Sequence, residues 1–297
     1  MKYAFIRCER TRYPTWMLCD LLDVSSSGFF DYLSREAVPR SDPDAQLRRD
    51  LLQIHQGSRG TYGRPRLLHG LRSCGHAVGP KRVRRVMREE GVRGRRKARF
   101  RPRTTDSVHQ RQIAANVLER RFDIDAHVHA WAGDITYIPT REGWLYLAVV
   151  IALRTRQVLG YSLANTMPDD LVQRAFLNAY SAQPVAAGVV FHSDRGSQYA
   201  SSAFLNTLQS RGFIPSMSRK GNCWDNAVSE SFFATLKTEE VTQPYPTRAQ
   251  AHRAIASYIL GFYNPVRMHS TLGYLSPNQF AKTLSDKTKL THDPRPS

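Results

Sequence analysis

Acidic side chains are the scarcer charge in this sequence: 25 Asp and Glu stand against 43 Lys and Arg, a formal net charge of +18. An excess of that size attracts polyanions over distances comparable to the Debye length, which makes nucleic acid the default partner. Cysteine is scarce as well. Cys8, Cys19, Cys74 and Cys223 are scattered, with no Cys-x-x-Cys pair and no nearby histidine spacing. This argues against a zinc site and for free thiols in a reducing compartment. Long apolar runs are missing: the longest, Trp144 to Leu153, is about half a membrane span. No signal peptide opens the chain, so a soluble, cytoplasmic protein is expected, with no membrane partner. Also missing are a Gly-rich phosphate loop with its lysine, internal repeats, low-complexity blocks and any sustained heptad run, so neither a nucleotide cofactor nor a coiled coil is expected. What is present is enough apolar material for a packed core, 41% hydrophobic and 10% aromatic over 297 residues.

The charge is unevenly placed. Residues 1 to 110 carry 24 Lys and Arg against 11 Asp and Glu, a net +13 that leaves +5 for the remainder. Helical spacing at Thr15 to Leu22, a break at Asp23 to Gly28 and a resumption at Phe29 to Leu33 give residues 1–40 a helix-turn-helix-like pattern, equally readable as two plain helices. Residues 44–92 read as a second helical module. Its last helix, opened by Gly79-Pro80, buries Val83, Val86 and Met87 and presents Arg82 and Arg85 among its cations, which suits phosphate contact on one side and packing on the other. From Arg93 to Arg103 seven of eleven residues are basic, including Arg95, Arg96, Lys97 and Arg99. Residues 93–127 therefore read as a basic linker able to track DNA.

Beyond it, residues 128–240 read as an α/β core. Strands are expected around Asp134 to Tyr137, Leu145 to Leu153 and Gln157 to Leu163, then a helix led by Asp169 and Asp170, and a short strand at Val189. Asp194 then falls where a strand meets a loop. Glu230 falls on a helix, and on a helical wheel it shares a narrow arc with Asn226 and Lys237, opposite Val228, Phe232 and Leu236. Asp134, Asp194 and Glu230 brought together would repel one another unless a divalent cation lay among them, and hard oxygen ligands of this kind suit Mg²⁺ or Mn²⁺. Asn226 and Lys237 would then orient a water or hold a phosphate, or simply form a polar helix face. His192 reads more readily as a hydrogen-bonded structural residue than as a general base. Residues 241–282 read as a helical extension, in which Arg267 either contacts DNA or packs on the core. Residues 283–297 read as a disordered tail.

Four motifs occur in order: Trp131-x-x-Asp134-Ile135-Thr136-Tyr137, His192-Ser193-Asp194-Arg195-Gly196-Ser197-Gln198-Tyr199, Asp225-Asn226-Ala227-x-x-Glu230-Ser231-Phe232-Phe233, and Phe262-Tyr263-Asn264 with Arg267, His269, Ser270 and Leu272-Gly273-Tyr274. Together they closely resemble the second-frame (OrfB) products of the insertion sequence 3 family of DDE transposases. The resemblance covers nearly the whole chain. It implies an RNase H-like integrase core with Asp134, Asp194 and Glu230 as catalytic metal ligands holding two Mg²⁺ or Mn²⁺ ions. It implies nicking at the ends of a mobile element and attack by the freed 3′ hydroxyl on other DNA. The partners implied are double-stranded DNA at terminal repeats and target, further copies of the chain, and a first-frame (OrfA) product. One departure is Ala152, where family members usually carry an acid. It leaves open a catalytically impaired DNA-binding repressor, and a nuclease that cuts without joining is a further alternative.

Overall fold

A computed structural model describes residues 1–37, 42–95, 113–117, 130–218 and 227–291. The chain divides into two compact units, Met1–Arg49 and Asp50–Ser297. The first holds α1 (Lys2–Glu9), α2 (Thr15–Leu21) and α3 (Ser26–Ala37). Ile6, Leu18, Cys19 and Phe29 form its small core. α1 was not foreseen, because Ile6 is its sole buried residue and leaves no apolar stripe to read. α3 starts earlier than its first aromatic residue, since the Ser25 hydroxyl accepts from the Gly28 N–H at 3.1 Å and satisfies a donor of the first turn.

α4 (Ala45–Gly57) begins in the first unit and ends in the second, where it builds the helical module with α5 (Arg64–Ser73) and α6 (Pro80–Glu89). α5 and α6 each open with proline in the first turn, where the missing N–H costs nothing. Gly70 on α5 lets α4 approach closely: a Cβ there would stand 3.2 Å from Ile54. Val83 and Val86 are fully buried, while Lys81, Arg82, Arg84, Arg85 and Arg88 are exposed along α6.

The core is a five-stranded sheet of β1 (Ala130–Thr140), β2 (Gly143–Ala152), β3 (Val158–Ala164), β4 (Val190–Ser193) and β5 (Ile214–Met217), in the order β3-β2-β1-β4-β5. β1, β2 and β3 run antiparallel, whereas β4 and β5 run parallel to β1. α7 (Asp170–Ala182) and α8 (Ser202–Ser210) lie in the connections that parallel pairing requires. One sheet face packs Trp131, Phe176, Phe191, Phe204 and Phe213 into an aromatic core. Gly160 lets α7 lie directly on β3, as a Cβ would collide with the Ala175 carbonyl. α9 (Ala227–Glu239) packs against β1 and β2. α10 (Arg248–Tyr258) continues into a π turn, Ile259–Tyr263, and α11 spans Pro277–Thr291.

One expectation needs correction. α11 runs to Thr291, well into the segment read as a disordered tail from 283; its start is fixed by Ser276, whose hydroxyl accepts from the Gln279 N–H while its own N–H donates to Gln279 Oε1. The described pieces of the basic linker are both held. Arg95 donates to the Glu239 carbonyl, and the Val117 N–H donates to Ser216 Oγ at 3.0 Å.

Candidate active site

The parallel register of β1 and β4 sets Ala132 opposite His192. Two residues further on, Asp134 on β1 and Asp194 just past β4 stand level on the same side of the sheet, because side chains alternate with period two. Gly133, between Ala132 and Asp134 in sequence, faces the aromatic core instead: a Cβ there would come within 2.6 Å of the Phe191 ring and 3.0 Å of the Tyr199 ring. Asp134 Oδ1 accepts from the Ile135 N–H at 2.8 Å, and Asp194 Oδ1 from the Gly196 N–H at 2.9 Å. Gly196 thus folds the loop around the second carboxylate; a Cβ on it would lie 3.0 Å from Asp194 Oδ1.

Glu230 is exposed near the start of α9. Burial and, next, the facing Asp194 carboxylate raise the Asp134 carboxyl well above the ordinary range, with Glu230 adding to the rise and Lys237 opposing it. Lys237 is itself pushed down by burial and held up by Asp134. The site is therefore a like-charge cluster with one ammonium partly compensating it. Among the described residues, no three His, Cys, Asp or Glu side chains are placed to hold a metal ion between them. The donor chemistry nevertheless fits a hard divalent cation: a carboxylate driven toward protonation by burial and by neighbouring carboxylates has an uncompensated negative charge that such a cation relieves.

The other predicted residues separate. Lys237 joins the acids. Arg82 and Arg85 are exposed on α6. Arg96, Lys97, Arg99 and Asn226 lie outside the described residues. Arg267 is not placed for DNA: it is 5% exposed and grips Glu239 through two hydrogen bonds of 2.7 Å, so its guanidinium is already committed. Arg95 is likewise tied to the Glu239 carbonyl and is a poor candidate for phosphate contact. His192 is fully buried, with Nδ1 3.0 Å from Ser216 Oγ on the adjacent strand, the structural role favoured for it. Ala152 pairs with Trp131, three positions along β1 from Asp134, and packs on the apolar core. Sequence reasoning missed Tyr199, a buried phenol raised well above its ordinary value by burial and then by Asp134 and Asp194. Its place in the Asp194 motif was the available signal.

Integrase core domain models match residues 125–223 and 211–277, and an HTH-like domain model matches residues 42–100. Together they define a transposase-class polynucleotidyl transferase behind a helix-turn-helix-like module. The transposase InsF for insertion sequence IS3A of Escherichia coli (strain K12) is 36% identical over 285 residues, 94% of this chain and 98% of that protein. The insertion element IS600 uncharacterized 31 kDa protein of Shigella sonnei is 38% identical over 264 residues, 89% of this chain and 97% of that one. The chain belongs to the insertion sequence 3 family of transposases, as a homologue of the second-frame product. Among solved structures, the HTLV-2 integrase catalytic core domain in complex with magnesium matches at 18% identity, covering 51% of this chain and 94% of that one with a TM-score of 0.37.

Proposed function

We propose that Asp134, Asp194 and Glu230 are the catalytic carboxylates of this transposase and that they hold two Mg²⁺ or Mn²⁺ ions. The observation that carries this reading is the Asp134 carboxyl, two residues past the Ala132–His192 pair, as Asp194 is on the other chain segment, and raised by burial first and then by Asp194 and Glu230. The ions, when bound, activate the attacking oxygen and stabilise the leaving one, so that hydrolysis and strand transfer can share a site. The protein's own part is positional. β1 and the end of β4 fix two carboxylates on a rigid sheet, α9 brings the third from the facing layer, and Lys237 supplies a cation beside Asp134 for a scissile phosphate. The buried Phe191 and Tyr199 rings pack against Gly133, the residue before Asp134 on β1.

In this reading the exposed Arg82 and Arg85 on α6 meet the phosphates of double-stranded DNA, with Arg96, Lys97 and Arg99 following from the basic run. Recognition of terminal repeats is shared with further copies of the chain and with a first-frame product, since phosphate contacts carry no base information. The test is incubation with Mg²⁺ and labelled element-end duplex, scored for nicked and joined products. Asp134→Asn, Asp194→Asn and Glu230→Gln should each abolish both products while retaining DNA affinity. Parent-like nicking by any one of them removes that residue from the site. Nicks without joined products would favour a nuclease.

A further inference from the structure

Two residues beyond Lys237, α9 ends in a buried polar knot. The Glu239 side chain is 6% exposed, and its carboxylate accepts from Arg267 Nε and Nη2 at 2.7 Å each and from the Tyr258 hydroxyl at 2.8 Å. The helical module reaches the same place. Arg66 Nη1 lies 4.0 Å from Glu239 Oε1, Arg95 donates to the Glu239 carbonyl, and Arg59 Nη1 donates to Glu240 Oε2 at 2.9 Å. Tyr62 bridges further along: its hydroxyl accepts from the Met268 N–H at 2.7 Å and donates to the Val266 carbonyl at 3.2 Å. Arg59 is the telling member. It sits at φ 57°, a left-handed conformation that glycine adopts more easily, yet its long side chain reaches Ser257 and lies over the Tyr258 and Phe262 rings.

We propose that Arg59, Tyr62 and Glu239 are positioning residues that lock the DNA-holding module to the catalytic helix, so that the scissile phosphodiester is set at a fixed distance from the duplex gripped by α6. The inference rests on the reading that α6 holds DNA and that Glu230 serves the active site. α9 carries Glu230 at one end and the lock at the other, and a rigid helix transmits placement between them. A linker-tethered module would bind DNA equally well but would leave the cleaved position loosely specified. Small misplacement is costly in itself: a shift of about 1 Å, caused far from the reacting atoms, can lower a rate about 10²-fold.

The experiment uses the full chain with Mg²⁺ and end-labelled element-end duplex, mapping nicks to single-nucleotide resolution and separating kcat from KM. Tyr62→Phe removes one link without leaving a charge unpaired, Arg59→Ala removes another and leaves only the part-buried Glu240 carboxylate, and Glu239→Gln removes the centre of the knot. The expected result is folded variants that retain KM and DNA affinity, lose up to about 10²-fold in kcat, and spread their nicks over neighbouring phosphodiesters. Arg59→Lys, which keeps a cation within reach of Glu240, should restore part of the nick register. Nicks confined to the parental position with parental kcat in folded Arg59→Ala and Tyr62→Phe overturn the inference. A kcat loss that only follows the folded fraction, with the nick position unmoved, overturns it equally. If Glu239→Gln does not fold, the other two variants decide. Glu230→Gln run in parallel separates the two readings: retained cleavage there removes Glu230 from the site, while the nick register of Arg59→Ala still answers the question of the lock.

Discussion

The two ends of α9 treat charge in opposite ways. Near its start, Glu230 is exposed and adds to the repulsion that keeps Asp134 reluctant to ionise. At its end, Glu239 is buried and met by a bidentate guanidinium and a phenol. Both carboxylates stand on one helix of 13 residues. One region keeps an electrostatic deficit and the other removes it, as expected if the first must accept a cation and the second must hold still.

The comparison breaks most sharply through substitution of an acid at each end. Given the proposed role of Asp134 as a metal ligand, Asp134→Asn should lower cleavage by about 10³-fold or more, since such a group would supply several kcal/mol to the transition state. The same change relieves like-charge repulsion, so without metal the variant should be as stable as the parent or more so, by about 1 kcal/mol. Glu239→Gln should do the reverse to the fold and cost about 3–5 kcal/mol, because Arg267 is left buried without its counter-charge. Urea unfolding of both variants in chelator checks the contrast; equal losses of stability would erase the distinction between the two ends.

A smaller effect sharpens the second region. His269 is pushed down to about 3 by burial first and then by Arg267, Arg66 and Arg156. The unfolded chain takes up a proton near 6.5 and the folded one does not, so this group's contribution to stability is fully present above that pH. It is lost as pH falls from about 6.5 toward 3. His269→Gln should flatten that part of the stability profile, and a parallel profile would place the proton uptake elsewhere. The smallest expected change is in DNA binding. Replacing Arg82 and Arg85 with Ala should reduce the salt slope by about 0.9 for each phosphate that the two side chains neutralise, whereas Arg95→Ala should leave the slope unaltered. Titrations at several salt concentrations distinguish them.

The strand bearing Asp134 and the one that ends just before Asp194 were legible because local patterns specify them: apolar runs mark β2 and β4, a turn signal separates β1 from β2, and the motifs bracket each carboxylate. Arg267 was not legible, since nothing within a few residues of it shows that its counter-charge lies on α9, 28 residues earlier. Arg95 was hidden for the same reason within a run whose composition reads as solvated charge. Tyr199 was visible as part of a motif, but its relation to Asp134 depends on strand pairing that adjacent residues do not encode. The extension of α11 past 283 was not legible because its polar composition is compatible with helix and loop alike.

β3 is an outer strand of the sheet, with Val158 at its beginning. There the Asn264 side chain accepts from the Val158 N–H at 3.0 Å and donates to the Val158 carbonyl at 2.9 Å. The amide stands in for one residue of a neighbouring strand that is not there. A peptide, or another copy of the chain, seeking to lengthen the sheet at this point would first have to displace Asn264, so a side chain guards this part of the border against β-mediated aggregation. Asn264→Leu keeps the bulk but would leave both Val158 backbone groups without that partner, turning a closed margin into an adhesive one.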